Sequence, residues 1–257
     1  MGVFTVFMAR HSRAFHFDDH WDRIVRSCRD TRIVTDRLPS VADALRAVHH
    51  ALSEADHARS MVRMIVTAGD TKDGKHAVGD PKLLILVDPM PSVNHGPLRL
   101  AFQSGGRKRP EIKMVGPYAD LMLDLAKAQE DHCQDVLYFC EDPAIGIPYI
   151  TETTCGNIFF VTKDNRLITP IRQVLAGVTR RIILDLMRES DIFVCVEERS
   201  MRPEPTLSCC VEAFRTASIS GIVPIRSIGD YQFKIGPGTR TEKVQKLYVD
   251  YVDGYFS

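Results

Sequence analysis

The spacing of apolar residues predicts a mixture of helices and strands in the first half of the chain. Apolar side chains recur every three or four positions in Ser40–Ala55, which predicts an amphipathic helix capped by Ser40. Early aspartates followed by helically spaced apolar residues predict another helix over Phe17–Val25. Short apolar runs between turns that contain Gly or Pro predict strands at Met1–Met8, Met61–Thr67, Leu83–Val87 and Leu98–Phe102.

A polar stretch at residues 104–110, Ser-Gly-Gly-Arg-Lys-Arg-Pro, separates this half from a second α and β mixture. It lacks large apolar side chains, so we predict an N-terminal α/β domain (1–103), a linker (104–111) and a C-terminal domain (112–257). Helical spacing begins at Tyr118 and again covers Val178–Glu189. Strands are predicted near Val136–Cys140, Tyr149–Thr151, Asn157–Thr162, Ile192–Val196, Ala213–Ser218 and Ile222–Ile225. The predicted fold class is α+β.

Composition excludes several classes of function. Lys plus Arg number 33 and Asp plus Glu number 33, so no net charge attracts the chain to nucleic acid or to an anionic membrane. The seven cysteines have no paired C-x-x-C spacing, which indicates neither a zinc site nor a disulfide framework. No apolar run approaches the roughly 20 residues of a membrane-spanning helix, and the opening strand lacks the features of a signal peptide. We therefore expect a cytoplasmic protein that binds no metal.

Lys113 is the first candidate for chemistry. It follows the linker in an apolar neighbourhood of Ile112, Met114 and Val115, where desolvation would lower the pKa of its amine and make it a nucleophile. The alternative is an exposed lysine on a loop.

Two further places could hold charged groups of a ligand. Glu152 interrupts a run of apolar and small residues, Tyr149–Phe160, and a carboxylate in such a run needs a partner. A surface glutamate on an alternating strand is the alternative. Gly177 precedes a helical pattern, which leaves backbone N–H groups and the Thr179 hydroxyl at a helix N-terminus, an arrangement suited to a phosphate. An ordinary glycine turn is the alternative there.

Taken together and in this order, these segments resemble the class IV aminotransferase family. That family includes branched-chain aminotransferases, D-amino-acid aminotransferases, R-selective amine transaminases and aminodeoxychorismate lyases. The most specific part is Thr151–Phe159, which looks like the family's glutamate-to-asparagine signature, with Glu152 and Asn157 at the matching positions. The likeness continues through Leu167–Pro170 and Leu175–Arg180 and covers nearly the whole chain.

The resemblance implies a two-domain fold, with a smaller N-terminal α/β domain and a larger C-terminal domain that contains a pseudo-barrel sheet. It implies pyridoxal 5'-phosphate as the cofactor, carried as a Schiff base on Lys113, because Lys113 and Tyr118 have the family's separation of five positions. Glu152 would then hold the ring nitrogen. The other cofactor-binding residues that the resemblance implies are Tyr118, Asn157, Gly177, Val178, Thr179, Thr216 and Ser218.

Matches in the first half of the chain are looser. Phe17–Ile24 resembles the family's early helix, and Arg63 matches a strand arginine that can face the substrate. His16 stands where relatives often have an arginine near the phosphate, and a histidine carries a permanent charge less reliably. A surface position on a strand is the alternative for His16. The family usually begins one or two strands before the position of Met1, so an aromatic or polar group from that region is expected to be missing.

The resemblance thus implies transfer of an amino group between an amino acid, or an amine, and a 2-oxo acid. We expect a symmetric homodimer, with the site in a cleft between the halves. Arg99 and Arg107–Arg109 are further candidates for a substrate carboxylate, although we expect the last three to form a solvated linker surface. One alternative is a lyase that makes 4-aminobenzoate and pyruvate from aminodeoxychorismate, since the same lysine and glutamate serve β-elimination. A non-catalytic binding protein of the same fold is the other.

Overall fold

The computed structural model of this chain describes residues 1–70, 73, 79–92 and 96–257. The chain forms two compact units: the first is Met1–Val93 with Ile112–Tyr118 and Phe256, and the second is Asn94–Glu111 with Ala119–Tyr255 and Ser257. The division predicted at residues 104–111 differs from these units in two ways. The strand that begins at Leu98 and the linker itself belong to the second unit, whereas Ile112–Tyr118 belongs to the first.

The first unit is an antiparallel sheet with two helices packed on one face. The sheet has the order β2-β1-β3-β4, formed by β1 (Gly2–Arg10), β2 (Arg13–Ala14), β3 (Arg59–Thr67) and β4 (Lys82–Pro89). Helices α1 (Phe17–Asp30) and α2 (Val41–Ala55) cover the face on which Val3 and Phe7 are buried. The predicted cap of α2 is confirmed, since Asp43 N donates to Ser40 Oγ at 3.2 Å. Alternation along β1 and β3 therefore leaves their other side chains, including Arg63, on the opposite face.

The second unit contains a larger mixed sheet. Its strands are β5 (Leu98–Ser104), β6 (Asp135–Glu141), β7 (Pro148–Thr153), β8 (Asn157–Thr162), β9 (Arg166–Pro170), β10 (Cys195–Arg199), β11 (Cys210–Ala217), β12 (Gly221–Ile228) and β13 (Tyr231–Gln232). They have the order β10-β9-β8-β11-β12-β5-β6-β7, and β13 pairs with β12. The helices are α3 (Tyr118–Glu130), whose first residue belongs to the first unit, α4 (Val178–Glu189), α5 (Pro203–Cys209) and α6 (Arg240–Phe256).

Most predicted elements are present, and α4 and β8 have the predicted bounds. Strand β10 begins at Cys195 rather than Ile192, because a turn at Asn165 holds the preceding residues. Asn165 Nδ2 donates to Ile192 O at 3.1 Å, and its carbonyl accepts from Val194 N at 3.0 Å. Helices α5 and α6 were not predicted from the sequence pattern. Thr239 caps α6 by accepting from Glu242 N at 3.2 Å, so the Thr-x-x-Glu capping signal was present in the sequence.

Among the residues that the structure describes, no helix is both long enough and apolar enough to cross a bilayer. The same residues contain no group of three or more His, Cys, Asp or Glu side chains arranged to hold a metal ion.

Candidate active site

Lys113 lies on a segment that extends one edge of β1. The Phe4 N–H donates to the carbonyl of Lys113 at 2.9 Å, and the Val115 N–H donates to the carbonyl of Gly2 at 3.0 Å. These bonds fix the backbone on both sides of Lys113 within the first unit. The apolar stretch that identified Lys113 in the sequence is thus a short strand-like addition to β1.

Two aromatic rings and a hydroxyl group hold the half-buried side chain of Lys113. Its Nζ donates to Tyr118 Oη at 2.7 Å and lies 4.8 Å from the ring centres of both Phe4 and Tyr118. The two rings meet edge to face, with centroids 5.1 Å apart. The alternative of an exposed loop lysine does not describe this side chain. Its amine is held at a defined position in partly apolar surroundings.

Glu152 lies on β7, and only 8% of its side chain is exposed. Its Oε2 accepts from Leu175 N at 2.8 Å and from Asn157 Nδ2 at 3.2 Å, while its Oε1 is paired with the Arg107 guanidinium. The surface-glutamate alternative is therefore wrong. Three donors stabilise the ionised carboxylate and set its direction.

The burial of Arg107 contradicts one expectation from the sequence. The linker arginines were expected to be solvated, but the Arg107 side chain is 4% exposed and forms an ion pair with Glu152. Lys108 and Arg109 are exposed as expected. Nothing in the sequence pattern around Arg107 distinguishes it from its two basic neighbours.

Asn157 joins Glu152 to the start of α4. Besides its bond to Glu152, its Nδ2 donates to the carbonyl of Leu175 at 3.0 Å. A methyl group added at Gly177 would overlap Asn157 Oδ1, so only glycine allows this approach. The backbone before α4 is therefore hydrogen-bonded to the same Asn157 amide that contacts Glu152.

The N-terminus of α4 presents donors without a side-chain cap. Its N-cap residue is Gly177, and the first N–H groups of a helix, here those of Val178 and Thr179, have no partner within the helix. Helix α4 packs against β11, where Thr216 lies opposite Asn157 in the β8–β11 register. The Thr216 Oγ1 atom is buried and has no hydrogen-bond partner among the described residues. Ser218 is half-buried in the turn that follows β11.

Asp135 fixes the loop between β7 and β8, a role that the sequence did not reveal. It is 1% exposed and accepts from Thr154 N at 3.1 Å and from Arg215 at 2.7 Å. Arg215 precedes Thr216 on β11, so this buried ion pair ties the loop after Glu152 to the strand that carries Thr216. Its contribution is to position both residues.

A small cleft borders the Glu152 carboxylate within the second unit. Its lining includes Gly106, Arg107, Tyr138, Thr151, Glu152 and Gln173. Burial raises the pKa of Tyr138, whose hydroxyl donates to Asp124 at 2.9 Å, so the tyrosine stays neutral. Among the described residues that line this cleft, Glu152 and Arg107 carry the ionic side chains.

The remaining predicted positions, Arg63 and His16, lie in the first unit. Arg63 pairs with Val6 across β1 and β3, and Phe4 pairs with Ile65 two positions along β3, so Arg63 and Phe4 share the face opposite the helices. His16 precedes α1 with a left-handed backbone, and its Nδ1 lies 2.8 Å from Asp19 Oδ2. The position of Arg63 suits a contact with the substrate. A phosphate contact by His16 stays a prediction.

Comparison with known proteins identifies related sequences. The model of the family described as amino-transferase class IV matches residues 2–228. Among curated proteins, the branched-chain-amino-acid aminotransferase of Pseudomonas aeruginosa is 29% identical in an alignment that covers 99% of this chain and 85% of that protein.

Solved structures share the fold. A branched-chain amino acid aminotransferase from Thermobaculum terrenum in its PLP form matches with a TM-score of 0.82 at 23% identity, covering 98% of this chain and 85% of that one. A Legionella pneumophila protein, provisionally described as a 4-amino-4-deoxychorismate lyase, matches with a TM-score of 0.82 at 20% identity, covering 98% and 90%. The fold class predicted from the sequence is confirmed.

Proposed function

Since this chain belongs to the class IV aminotransferase family, we propose that it transfers an amino group between an amino acid, or an amine, and a 2-oxo acid, with pyridoxal 5'-phosphate held on Lys113. One observation carries the proposal: Glu152, Asn157 and the backbone before α4 are joined by hydrogen bonds. These bonds hold the acidic side chain of Glu152 and the N-terminus of α4, which suits an anion, in fixed positions relative to each other. The proposed cofactor has a basic ring nitrogen and a phosphate, which these two features complement.

The side chains fit this cofactor. The buried Thr216 Oγ1 and the uncapped N-terminus of α4 suit a phosphate, with Val178 and Thr179 supplying backbone N–H groups. The hydroxyl groups of Thr179 and Ser218 are proposed to complete that set. The ionised Glu152 suits a protonated ring nitrogen. When bound, pyridoxal phosphate supplies an electron sink for the pair left by removal of the substrate's α-proton.

Lys113 is proposed to do the proton chemistry. Its Nζ is the amine that binds the cofactor, and after release the same nitrogen takes the α-proton of the amino donor and returns it as a general acid. Tyr118 Oη, at 2.7 Å, orients that nitrogen. The Phe4 and Tyr118 rings exclude water from part of its surface, which keeps the amine reactive.

Arg63 is proposed to bind a substrate carboxylate. It lies on the same sheet face as Phe4, whose ring contacts Lys113 Nζ, and its register neighbours on that face are Val6 and Leu86. A guanidinium among apolar side chains suits a carboxylate substrate that also has an apolar portion. His16 is proposed to add one hydrogen bond to the phosphate.

Half-reactions test the proposed activity. The purified protein is loaded with pyridoxal phosphate and mixed with L-, D- and aromatic amino donors, while the cofactor spectrum and the amino transfer to 2-oxoglutarate are measured. We expect at least one donor class to convert the spectrum and transfer its amino group stoichiometrically. Pyruvate formed from aminodeoxychorismate, without amino transfer, would instead establish the lyase. A protein that takes up no cofactor would support the non-catalytic alternative.

Gly177→Ala tests the hydrogen bonds that join Asn157 to Glu152 and to Leu175. The added methyl group overlaps Asn157 Oδ1, so the amide turns away and its bonds to Glu152 and Leu175 weaken. We expect the pyridoxal phosphate dissociation constant to rise about tenfold, equivalent to about 1.4 kcal/mol, or roughly one hydrogen bond. Absorbance titration of the cofactor-free protein measures it. Gly254→Ala is the matched control, because the space around Gly254 is open. Equal dissociation constants for the two variants would contradict the expectation.

We also propose that the protein is a homodimer, the commonest closed assembly of soluble enzymes. The resemblance to its family supports the same state. Light scattering on the purified chain should give twice the mass of one chain, and a monomer mass would contradict this proposal.

A further inference from the structure

The position of Arg107 is built into the second unit. Its guanidinium pairs with Glu152 and also donates to the carbonyl of Pro110 at 2.8 Å. Gly105 and Gly106, which directly precede it, have φ angles of 122° and 127°, a backbone that L side chains rarely adopt. The chain thus uses two glycines to turn Arg107 inward. An arginine on the surface that contacted Glu152 only by chance would not require two glycines with these φ angles before it.

Glu152 depends on this cation. Burial of an ionised carboxylate is costly unless an opposite charge and hydrogen bonds compensate for the lost water. Asn157 Nδ2 and Leu175 N are neutral donors, whereas Arg107 brings a full positive charge to Oε1. Removing the guanidinium would therefore favour a protonated or displaced Glu152.

We propose that Arg107 is a positioning residue for the transfer reaction, which keeps Glu152 ionised and directed and so sets the charge felt by the cofactor's ring nitrogen. This inference rests on the proposed function. A neutral Glu152 cannot stabilise a positive charge on that nitrogen, and a displaced Glu152 cannot reach it. Arg107 acts only through Glu152 and takes no proton itself, because a guanidinium stays charged in proteins.

A double-mutant cycle on the full chain without cofactor tests the pairing. The proteins are wild type, Arg107→Met, Glu152→Gln and the double variant. Each single change removes one half of a buried ion pair, so each should lower the melting temperature by on the order of 10 °C. The double variant removes both charges, so its melting temperature should fall by much less than the sum of the two single losses. Arg109→Met, which changes an exposed linker arginine, should melt like wild type.

The pH dependence of the bound chromophore tests the electrostatic role. With pyridoxal phosphate on Lys113, Arg107→Met leaves Glu152 protonated or displaced, so the ring nitrogen loses the group that holds its positive charge. The pH midpoint of the visible absorption should therefore rise by about one unit, because loss of that positive charge makes the nitrogen that joins Lys113 to the cofactor easier to protonate. Arg107→Lys keeps the charge and should restore most of the wild-type midpoint, and it serves as the folded variant if Arg107→Met unfolds.

The outcomes separate the two proposals. Additive losses in the cycle would overturn the pairing, and a coupled cycle with an unmoved midpoint would overturn the role toward the cofactor. A wild type that takes up no pyridoxal phosphate would overturn the proposed function and this cofactor role together, whereas the cycle would still report whether Arg107 and Glu152 are paired. Coupling together with a raised midpoint supports the inference.

Discussion

Replacing Lys113 with alanine is expected to abolish turnover and the visible absorption of bound cofactor in a protein that still folds. The amine is proposed both to bind the cofactor and to move the α-proton, so no other group replaces it. We expect turnover to fall by about 10⁴-fold or more, the upper range for a general acid–base. The folded state loses the Tyr118 hydrogen bond and the contacts with two rings, each worth about 1 kcal/mol.

The measurements are the steady-state rate, an absorption spectrum after dialysis against pyridoxal phosphate, and a thermal melt. Lys108→Ala is the matched control, because Lys108 is an exposed lysine on the same stretch of chain. That control should keep both rate and spectrum. A coloured and active Lys113→Ala protein would place the chemistry on another amine.

Glu152→Gln is expected to retain cofactor but lose about 10²- to 10³-fold in rate, comparable to removing one key electrostatic stabiliser. Glutamine can still accept from Leu175 N through its carbonyl oxygen, but it offers no negative charge to the ring nitrogen. Lys113 and the phosphate-binding groups should keep the cofactor bound. The loss should appear in kcat, because the charge matters most when the electron pair is released.

Single-turnover kinetics on the loaded protein, at a temperature well below its melt, measure this loss. Glu141→Gln is the control, because Glu141 is an exposed glutamate on β6 of the same sheet. An unchanged rate constant for Glu152→Gln would remove Glu152 from the electron-sink role. A loss of cofactor would show that Glu152 serves binding rather than rate.

Local pattern was sufficient for elements with a strong period or a clear cap. The α2 stripe with Ser40, and the bounds of α4 and β8, follow from residues close in sequence. Helix α6 was missed although Thr239 and Glu242 carry a capping signal. The predicted start of β10 was wrong because the Asn165 side chain, 27 positions away in sequence, forms a hydrogen bond with Ile192 and holds the residues before the strand.

Motif spacing is a property of the chain, so the residues alone identified the family, the fold class and the candidate residues Lys113 and Glu152. The partners of the Glu152 carboxylate follow from the tertiary structure. Arg107 is separated from Glu152 by 45 positions and is followed by two other basic residues, Lys108 and Arg109, that are exposed. A buried charge is paired according to distance and direction in space, and Gly105 and Gly106, with φ angles of 122° and 127°, give the backbone an unusual direction just before Arg107.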